Sequence, residues 1–512
     1  MGISSITTSR GYLTQQLNKL SSTLSEKTSQ LATGKVSTTY GGVGNQRLLS
    51  MELKQKVERI ESYEETITMS RLHIKTLNLN LERLEALRIE SKSTMDLNNF
   101  QLQADGQTST QATAEILLTE AISLLNAEVG GHYLFGGSDA NTNPVLEMSQ
   151  ILDGVDGKAG LKQVMNEYWQ ANKGPAGSEG RLTVSPLNTV LAAGVPVSSD
   201  FSITEDGAHN FGFDIGSVTS SLSNMTLTPP AGADPDSFGI EFTGQPQPGE
   251  KITIELGLPP DGSKTTKIEL TAAVGSAAEG EFLIGADLAE TAANLRTAIQ
   301  SGIQQEAGIS LRAASDEWAA NEFFNTFNGQ VPNRVDGPPF DTATGVVSGA
   351  ATTTSWYVGE NLPTLDPRQD KVAVVDDNLS LGYGVRANEQ GLADVVKTLA
   401  TFVSADFSSN SAMDKKYYGA LADGMKAILQ PADTDRSGIV DITTEVAVAY
   451  KSIENTAERH QIRKSGYNTT VDQIEGVDKE LLAAEILQMQ TNIEASYRAS
   501  SIVMQLSLAD YI

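Results

Sequence analysis

The residues best placed for chemistry form a short acidic segment, DTDRSGIVDITTE, at positions 433–445. Oxygen-bearing side chains and one glycine stand at the offsets of a calcium-binding loop: Asp433, Asp435, Ser437, Gly438 and Asp441. The twelfth residue of such a loop supplies a bidentate acid, but here it is Thr444, and Glu445 follows one position too late. We therefore predict a turn leading into a helix, with Thr443 or Thr444 near its cap. Calcium binding, as in a calcium-dependent adhesin, stays the alternative.

Other catalytic and cofactor-binding patterns are absent from the sequence. Four histidines occur far apart, and there is no cysteine from which a thiolate zinc site could be built: His73, His132, His209 and His460. No phosphate-binding loop, H-E-x-x-H zinc motif or G-x-S-x-G nucleophile motif occurs. The sequence predicts a protein that is not an enzyme, with no catalytic residue, cofactor or bound metal. The rival hypothesis of an unrecognised hydrolytic enzyme requires a pocket with convergent acids within residues 146–385.

The prolines locate the elements that would carry any such residues. Sixteen of the 17 prolines fall between Pro144 and Pro367, and the last is Pro431. Proline breaks helix interiors because it lacks the backbone donor and clashes with the preceding turn. Residues 1–143 and 432–512 are therefore free to form long helices around a mixed, loop-rich centre.

The N-terminal part of the chain has apolar heptad spacing. A first seam keeps 4-3-4-7 steps and is interrupted by Lys27: Leu13, Leu17, Leu20, Leu24 and Leu31. Four glycines within residues 33–44 end this helix. A second seam keeps 3-4 steps: Ile60, Tyr63, Ile67, Ser70, Ile74, Leu77, Leu81 and Leu84. A helix over residues 46–100 would be about 80 Å long, which indicates a rod, and a third helix is predicted over residues 108–128.

The C-terminal part continues the pattern. Its first stripe has one polar exception, Lys464: Val446, Tyr450, Ile453, Ala457, His460, Tyr467, Val471 and Ile474. A last stripe reaches almost to the end of the chain: Leu482, Ile486, Met489, Ile493, Tyr497, Met504 and Leu508. A core face inside a globular domain is the ordinary interpretation of such stripes. Helices of this length, however, are too long for a globule of this size to enclose.

We therefore predict that the two chain ends form an antiparallel coiled coil whose apolar edges contact other copies of the chain. The charges agree with this pairing. Residues 1–35 carry four basic side chains and one acidic side chain, whereas residues 467–512 carry two basic and seven acidic ones. The first and last stripes are the predicted subunit interface: Leu13, Leu17, Leu20, Leu24, Leu31, Leu482, Ile486, Met489, Ile493, Tyr497, Met504 and Leu508.

The centre of the chain has strand patterns. Alternating runs at residues 240–242, 252–256 and 266–270 are separated by Gly and Pro turns. A helix with Leu288 and Ile303 on its apolar side follows, and the Ser/Thr/Gly-rich residues 342–355 are interpreted as an exposed loop. The predicted class is α+β, with a helical bundle from both ends. We predict three domains: residues 1–45 with 467–512, residues 46–145 with 385–466, and residues 146–384 as inserted outer lobes.

Charge and hydropathy exclude several classes of partner. A net charge of −27 would be repelled by a phosphate backbone, so nucleic acid is not expected as a partner. No apolar run is long enough to span a bilayer, and the N-terminal segment lacks the apolar core of a secretory signal. We expect a soluble protein, or one that leaves the cell without a cleaved signal.

Several segments together resemble the flagellin superfamily: ITTSRGYLTQQLNKLSSTLSEKTSQLATGKVST from Ile6, HYLFGGSDANTNPV from His132, YGVRANEQGLADVVKTLATFV from Tyr383, and TNIEASYRASSIVMQLSLADYI from Thr491. Within it, YLFGG and the terminal LSLADYI are most similar to the hook–filament junction members, the type 3 hook-associated proteins. The resemblance covers about 145 residues at the start of the chain and about 70 at its end.

The resemblance implies a structural component of the bacterial flagellum, a junction adaptor exported unfolded through the flagellar type III apparatus to an extracellular position. It implies several partners: a hook-associated protein on the hook side, flagellin on the filament side, further copies in a helical ring, and an export chaperone. It also implies end helices that order only on assembly. A filament-forming flagellin is the alternative.

Overall fold

The computed structural model of the chain describes residues 3–96, 100–104, 106–232, 234–363, 366–430 and 438–509. These residues form two compact units. Unit one holds the described parts of Met1–Arg71, Ala373–Leu381 and Lys451–Ile512, and unit two holds those of Leu72–Val372 and Gly382–Tyr450. The three-part division expected from the sequence has its boundaries elsewhere in the chain and stays a prediction.

The helices of the described chain are α1 (Ile3–Thr33), α2 (Arg47–Thr94), α3 (Ser109–Leu125), α4 (Met148–Asp153), α5 (Leu161–Lys173), α6 (Leu288–Glu306), α7 (Arg312–Phe324), α8 (Gln390–Ser404), α9 (Ala412–Leu429), α10 (Gly438–Glu475) and α11 (Lys479–Ala509). The strands are β1 (Glu128–Val129), β2 (His132–Tyr133), β3 (Leu182–Val184), β4 (Asn188–Ala192), β5 (Val195–Glu205), β6 (Asp214–Ser220), β7 (Met225–Thr228), β8 (Ser237–Phe242), β9 (Lys251–Leu258), β10 (Lys264–Ala273), β11 (Glu281–Leu283), β12 (Asn333–Val335), β13 (Val346–Ser348), β14 (Val372–Asp376) and β15 (Leu379–Gly382). Helices hold 54% of the residues and strands 18%, which confirms the α+β class.

Within the described residues, the proline-free ends are mainly helical, as predicted. The predicted boundaries are wrong in two places, because α2 ends at Thr94 rather than near residue 100 and Glu128–Val129 form β1 rather than the end of α3. Seven of the eight predicted seam positions in α2 are buried, namely Ile60, Ile67, Ser70, Ile74, Leu77, Leu81 and Leu84, whereas Tyr63 is half-buried. The start of α3 is fixed by a reciprocal cap, in which Thr108 accepts the backbone N–H of Gln111 and the Gln111 side chain accepts that of Thr108. The heptad period therefore identified the buried side of α2 correctly.

Unit two has an apolar core shared by two β-sheets and α6. One sheet has the strand order β3-β5-β8-β7 with β4 added on β5, and the other has the order β11-β10-β9-β6. The predicted strands lie within β8, β9 and β10, and the predicted helix is α6. Alternate residues of the strands point into the core, where Phe238, Ile254 and Ile268 meet Leu295 and Ile299 of α6. The three strand predictions are confirmed.

Two segments that carry the flagellin resemblance lie against each other in unit two. Ala387 N donates to Phe135 O at 2.9 Å, and Gly137 N donates to Val385 O at 3.3 Å. Beside them, Arg386 Nε donates to Asp370 Oδ2 at 2.6 Å, and both of these side chains are fully buried. A buried ion pair thus accompanies the backbone pairing that joins the two segments.

The interpretation of residues 342–355 as an exposed loop is wrong for part of the segment. Val346–Ser348 form β13, which pairs antiparallel with β12. Thr353 and Thr354 are buried because the backbone there pairs with Ala159, which donates to Thr352 O and accepts from Thr354 N. A Ser/Thr-rich composition indicated exposure, but pairing with a distant part of the chain determined the burial of these threonines.

Candidate assembly surface

The candidate site lies in unit one, where the end of α1 meets the start of α11. Val36 N donates to Glu475 O at 2.7 Å, and Val477 N donates to Gly34 O at 3.2 Å, so the two bends pair through their backbones. Gly34 has a φ of +69°, which favours glycine and lets the chain turn directly after α1. Beyond this bridge, α1 and α11 are in contact with each other.

A buried carboxylate holds the bends together. Glu475 is only 7% exposed and accepts hydrogen bonds from Ser50 Oγ and, at 2.6 Å, from Lys54 Nζ, while Lys35 Nζ lies 3.9 Å away. Burial alone would raise the pKa of Glu475, but the hydrogen bonds and cationic charges around it outweigh burial and lower that pKa below its ordinary value. The site is therefore built around an ionised carboxylate.

Lys27, which interrupts the apolar seam of α1, has a partner on α11. Its Nζ lies 2.5 Å from a carboxylate oxygen of Glu485. Both side chains are partly exposed, so the pair contributes at most about 1 kcal/mol to stability. The opposite charges of the two chain ends were visible in the sequence, but this particular pair was not identified from it.

The predicted interface residues differ in how far the chain itself covers them. Leu482 and Ile486, next to the bend, are 5% and 8% exposed. Half-buried residues form the largest group: Leu13, Leu17, Leu20, Leu24, Leu31, Met489 and Ile493. Tyr497 is 61% exposed, and the side chains of Met504 and Leu508 lie outside the described residues. Among the described positions, coverage on α11 is therefore greatest next to the bend.

Further large apolar side chains of α1, α11 and the first turn of α2 are exposed. Those with more than half of their surface exposed are Tyr12, Leu48, Leu481, Leu487, Tyr497 and Ile502. Sequence reasoning followed a single heptad stripe and missed all of them except Tyr497. The signal was present, because α11 has apolar residues outside its stripe, and a helix that is apolar on several sides is normally buried by partners.

A short hairpin, residues 373–381, also belongs to unit one and is fixed by its two aspartates. Asp377 accepts from Arg59 at 3.1 Å and from the Tyr63 hydroxyl at 2.9 Å. Asp376 lies 3.6 Å from Nε2 of His460, whose ring is fully buried. His460 belongs to the apolar stripe predicted for the C-terminal part of the chain, and its ring packs beside that of Tyr63.

The acidic segment at 433–445 is only partly described. Asp433, Asp435 and Ser437 lie outside the described residues. The prediction of a cap at Thr443 or Thr444 is wrong, because α10 begins at Gly438 and both hydroxyls donate to carbonyl groups four residues earlier within the helix. Glu445, the misplaced acid of the loop pattern, pairs with Arg368 Nε at 3.0 Å.

Unit two contains the kind of pocket that the enzyme hypothesis required. Carboxylate oxygens of Glu205, Asp214 and Asp234 lie within 4.8 Å of one another beside a cavity of about 180 Å³. Burial and the neighbouring acids raise the pKa of Glu205 and of Asp214. The two Glu205 oxygens already accept the backbone N–H groups of Ile215 and Asp236, each at 2.7 Å. Glu205 therefore already has a structural role, because its carboxylate holds the backbone beside the cavity.

No known family model matches this sequence, and no curated protein matches it either. Within the described residues, no helix combines the length and the apolar character needed to cross a membrane.

Proposed function

We propose that the protein is a structural component of the bacterial flagellum, a hook–filament junction adaptor whose end helices bind neighbouring subunits. The observation that carries this proposal is the incomplete coverage of the terminal helices. Seven of the predicted interface side chains are half-buried and Tyr497 is exposed, although apolar stripes of this length normally lie in a core. An antiparallel coiled coil of α1 and α11 that is completed by sister copies accounts for both features.

The free energy available from such contacts is substantial. Five side chains on α1 and α11 leave more than half of their surface exposed: Tyr12, Leu481, Leu487, Tyr497 and Ile502. Fully burying one such side chain stabilises by about 1.5–3 kcal/mol. Because 56–65% of each of these five is still exposed, covering them contributes about 5–9 kcal/mol to each assembled copy. That gain offsets part of the entropy lost when the end helices become ordered, which supports assembly-coupled ordering.

The resemblance to the flagellin superfamily supports the choice of partners. A hook-associated protein would lie on the hook side, flagellin on the filament side, and further copies of this chain within the ring, after export with a chaperone to the extracellular position. Contacts that repeat around and along one axis form an open helical assembly rather than a closed oligomer. The exposed apolar residues on both terminal helices suit such repeated contacts.

A deletion strain tests the proposal directly. Cells without the coding sequence should have hooks but no filaments, and should release flagellin into the medium. The wild-type gene should restore filaments, whereas Ile493→Asp should not, because it places a charge in the helix interface. Val274→Asp, at a position that is 62% exposed in unit two, is the matched control and should restore them. Filaments of normal length in the deletion strain would refute the junction role.

The purified chain distinguishes the junction adaptor from a filament-forming flagellin. Electron microscopy should detect no long filaments when the chain is incubated alone, because an adaptor needs hook-side and filament-side partners. Long filaments formed by the chain alone would instead support the flagellin alternative. If the chain is a flagellin, cells that lack its coding sequence would also retain the short junction at the hook tip.

A further inference from the structure

A hairpin of unit two, residues 188–198, extends beyond the sheet to which it belongs. It consists of β4, a turn at Ala193 and Gly194, and the first part of β5. β5 pairs with β8 only from Ser199 to Thr204 and with β3 only from Ile203 to Glu205. Residues 195–198 therefore have β4 as their strand partner and no other within the described chain. We call residues 188–198 the arm.

The arm is apolar, exposed and uncharged. Four of its side chains leave about half or more of their surface exposed, namely Val190 (48%), Leu191 (60%), Val195 (62%) and Val197 (45%). No charged residue occurs between Arg181 and Asp200, in a chain whose residues are 20% charged. Such a patch, on the order of a few hundred Å², is typical of an interaction site.

The outer edge of β4 is available for pairing. No described strand other than β5 pairs with β4, so the backbone donors and acceptors on its outer edge have no strand partner in the described chain. Proteins usually protect such an edge with lysine, proline, an inward-pointing charge or a β-bulge. The five residues of β4, NTVLA, include no lysine, proline or charge. The bulge between β4 and β5 places its extra residue, Val197, in β5, so β4 itself stays continuous and its outer edge suits the addition of another strand.

We propose that β4 of one copy pairs antiparallel with β4 of a second copy, about a twofold axis at Val190. In that register Val190 faces its own equivalent, Thr189 faces Leu191, and Asn188 faces Ala192. Backbone pairing needs no particular side chains, which suits an arm without the aromatic and Arg anchors that usually bind a different protein. The same residues then form both halves of the contact, as a twofold interface requires.

Charge supports a second copy as the occupant. Two chains with a net charge of −27 each repel one another, so close approach is easiest where both surfaces are uncharged. A lipid surface is a poorer match, because the arm has neither the basic residues nor the Trp or Tyr that bind membrane interfaces. The arm is the uncharged surface that two acidic copies can share.

The size of the contact indicates a weak, reversible pairing. Two arms together bury less than the 1,200–2,000 Å² of total surface that stable complexes usually bury. A twofold axis perpendicular to the polymer axis would make two copies point in opposite directions, and one parallel to it relates neighbours only in a ring of two copies. The arm therefore joins copies that are not neighbours in the same assembly, and it acts independently of the terminal helices.

The absence of cysteine from the chain allows a clean cross-linking test. Val190→Cys in the full-length chain places two thiols across the proposed axis, where opposite Cβ atoms are about 4.5–5.5 Å apart. Val347→Cys is the matched control, because Val347 is a similarly exposed valine on the β12–β13 hairpin. After mild oxidation, we expect at least about tenfold more disulfide dimer from Val190→Cys, since pairing raises the effective thiol concentration towards mM.

Two further variants make the result decisive. Adding Leu191→Lys to Val190→Cys should reduce the dimer to the level of the control, because it places a charge on the pairing edge. Adding Ile493→Asp, which targets the terminal helices, should leave the dimer unchanged. Equal dimer from Val190→Cys and Val347→Cys, or no response to Leu191→Lys, would overturn the pairing. Loss of dimer with Ile493→Asp would overturn its independence from the helices, whatever the outcome for the proposed function.

Discussion

Asp316 of α7 provides the sharpest test of the physical account of unit two. The carboxyl group is 4% exposed and accepts a hydrogen bond from the hydroxyl of Tyr417 on α9. Burial raises the pKa of Asp316 to about 7, although the Tyr417 hydrogen bond and the charge of Arg312 act in the opposite direction. An acid with a raised pKa binds more protons in the native state than in the unfolded state, so its contribution to stability falls as pH rises.

The magnitude follows from the two pKa values. The native pKa of about 7 lies above the ordinary value of 3.8. This difference corresponds to about 4 kcal/mol of the free energy of unfolding, which is lost as pH rises from below 3.8 to above 7. Between about pH 5.5 and pH 8.5, the loss from this group is about 2 kcal/mol, because the unfolded carboxyl is ionised throughout that range. Asp316→Asn carries no charge at any of these pH values, so it should remove this part of the pH dependence.

Urea unfolding at the two pH values measures the effect, with fluorescence from Trp169, Trp318 and Trp356, which all lie in unit two. For each protein, we compare the free energy of unfolding at about pH 5.5 with that at about pH 8.5. The decrease should be about 2 kcal/mol smaller for Asp316→Asn than for the wild type. Asp423→Asn on α9, where the side chain is 81% exposed, is the control and should follow the wild type. If the Asp316→Asn and wild-type values change in parallel to within about 0.5 kcal/mol, burial does not raise this pKa.

Three further predictions concern the terminal helices and the buried ion pair. Leu20→Asp should block incorporation into flagella, visible as loss of the protein from purified hook–filament preparations, because it places a charge in the helix interface. Removing all residues after Glu485 should abolish assembly while leaving the tryptophan-monitored urea unfolding of unit two unchanged. Arg386→Met should lower the free energy of that unfolding by about 3–5 kcal/mol, because it leaves the buried Asp370 carboxylate without its partner. Adding Asp370→Leu should recover much of this loss. If the double variant recovers nothing, the unpaired carboxylate is not the cause.

The helices and several strands could be predicted because their signals are local. Proline positions delimited the helical ends, and the 3-4 spacing in α2 identified residues such as Ile74 and Leu81 that are fully buried. Alternation identified β8, β9 and β10 for the same reason, since a strand with one buried face must alternate. These patterns depend on neighbours within a few residues, which the sequence displays directly.

The parts that could not be predicted depend on residues far apart in the chain. Lys27 looked like an interruption of an apolar seam, but its partner Glu485 lies at the other end of the sequence. Thr353 and Thr354 looked exposed, but pairing with Ala159 buries them. For the candidate site, the heptad period identified the stripe on α11 but not how much of it the chain itself covers.

The degree of coverage decides between a closed globule and an assembling protein. A fully covered seam leaves no apolar surface for a neighbour, and a fully exposed one would aggregate without specific geometry. In unit one, Leu482 and Ile486 next to the bend are buried, whereas Tyr497 further along the same helix is exposed. The buried end sets how α1 and α11 meet, with Glu475 holding the bend. In the proposed assembly, neighbouring copies would cover the exposed part. Partial coverage would then combine a defined geometry with a free energy gain that assembly releases.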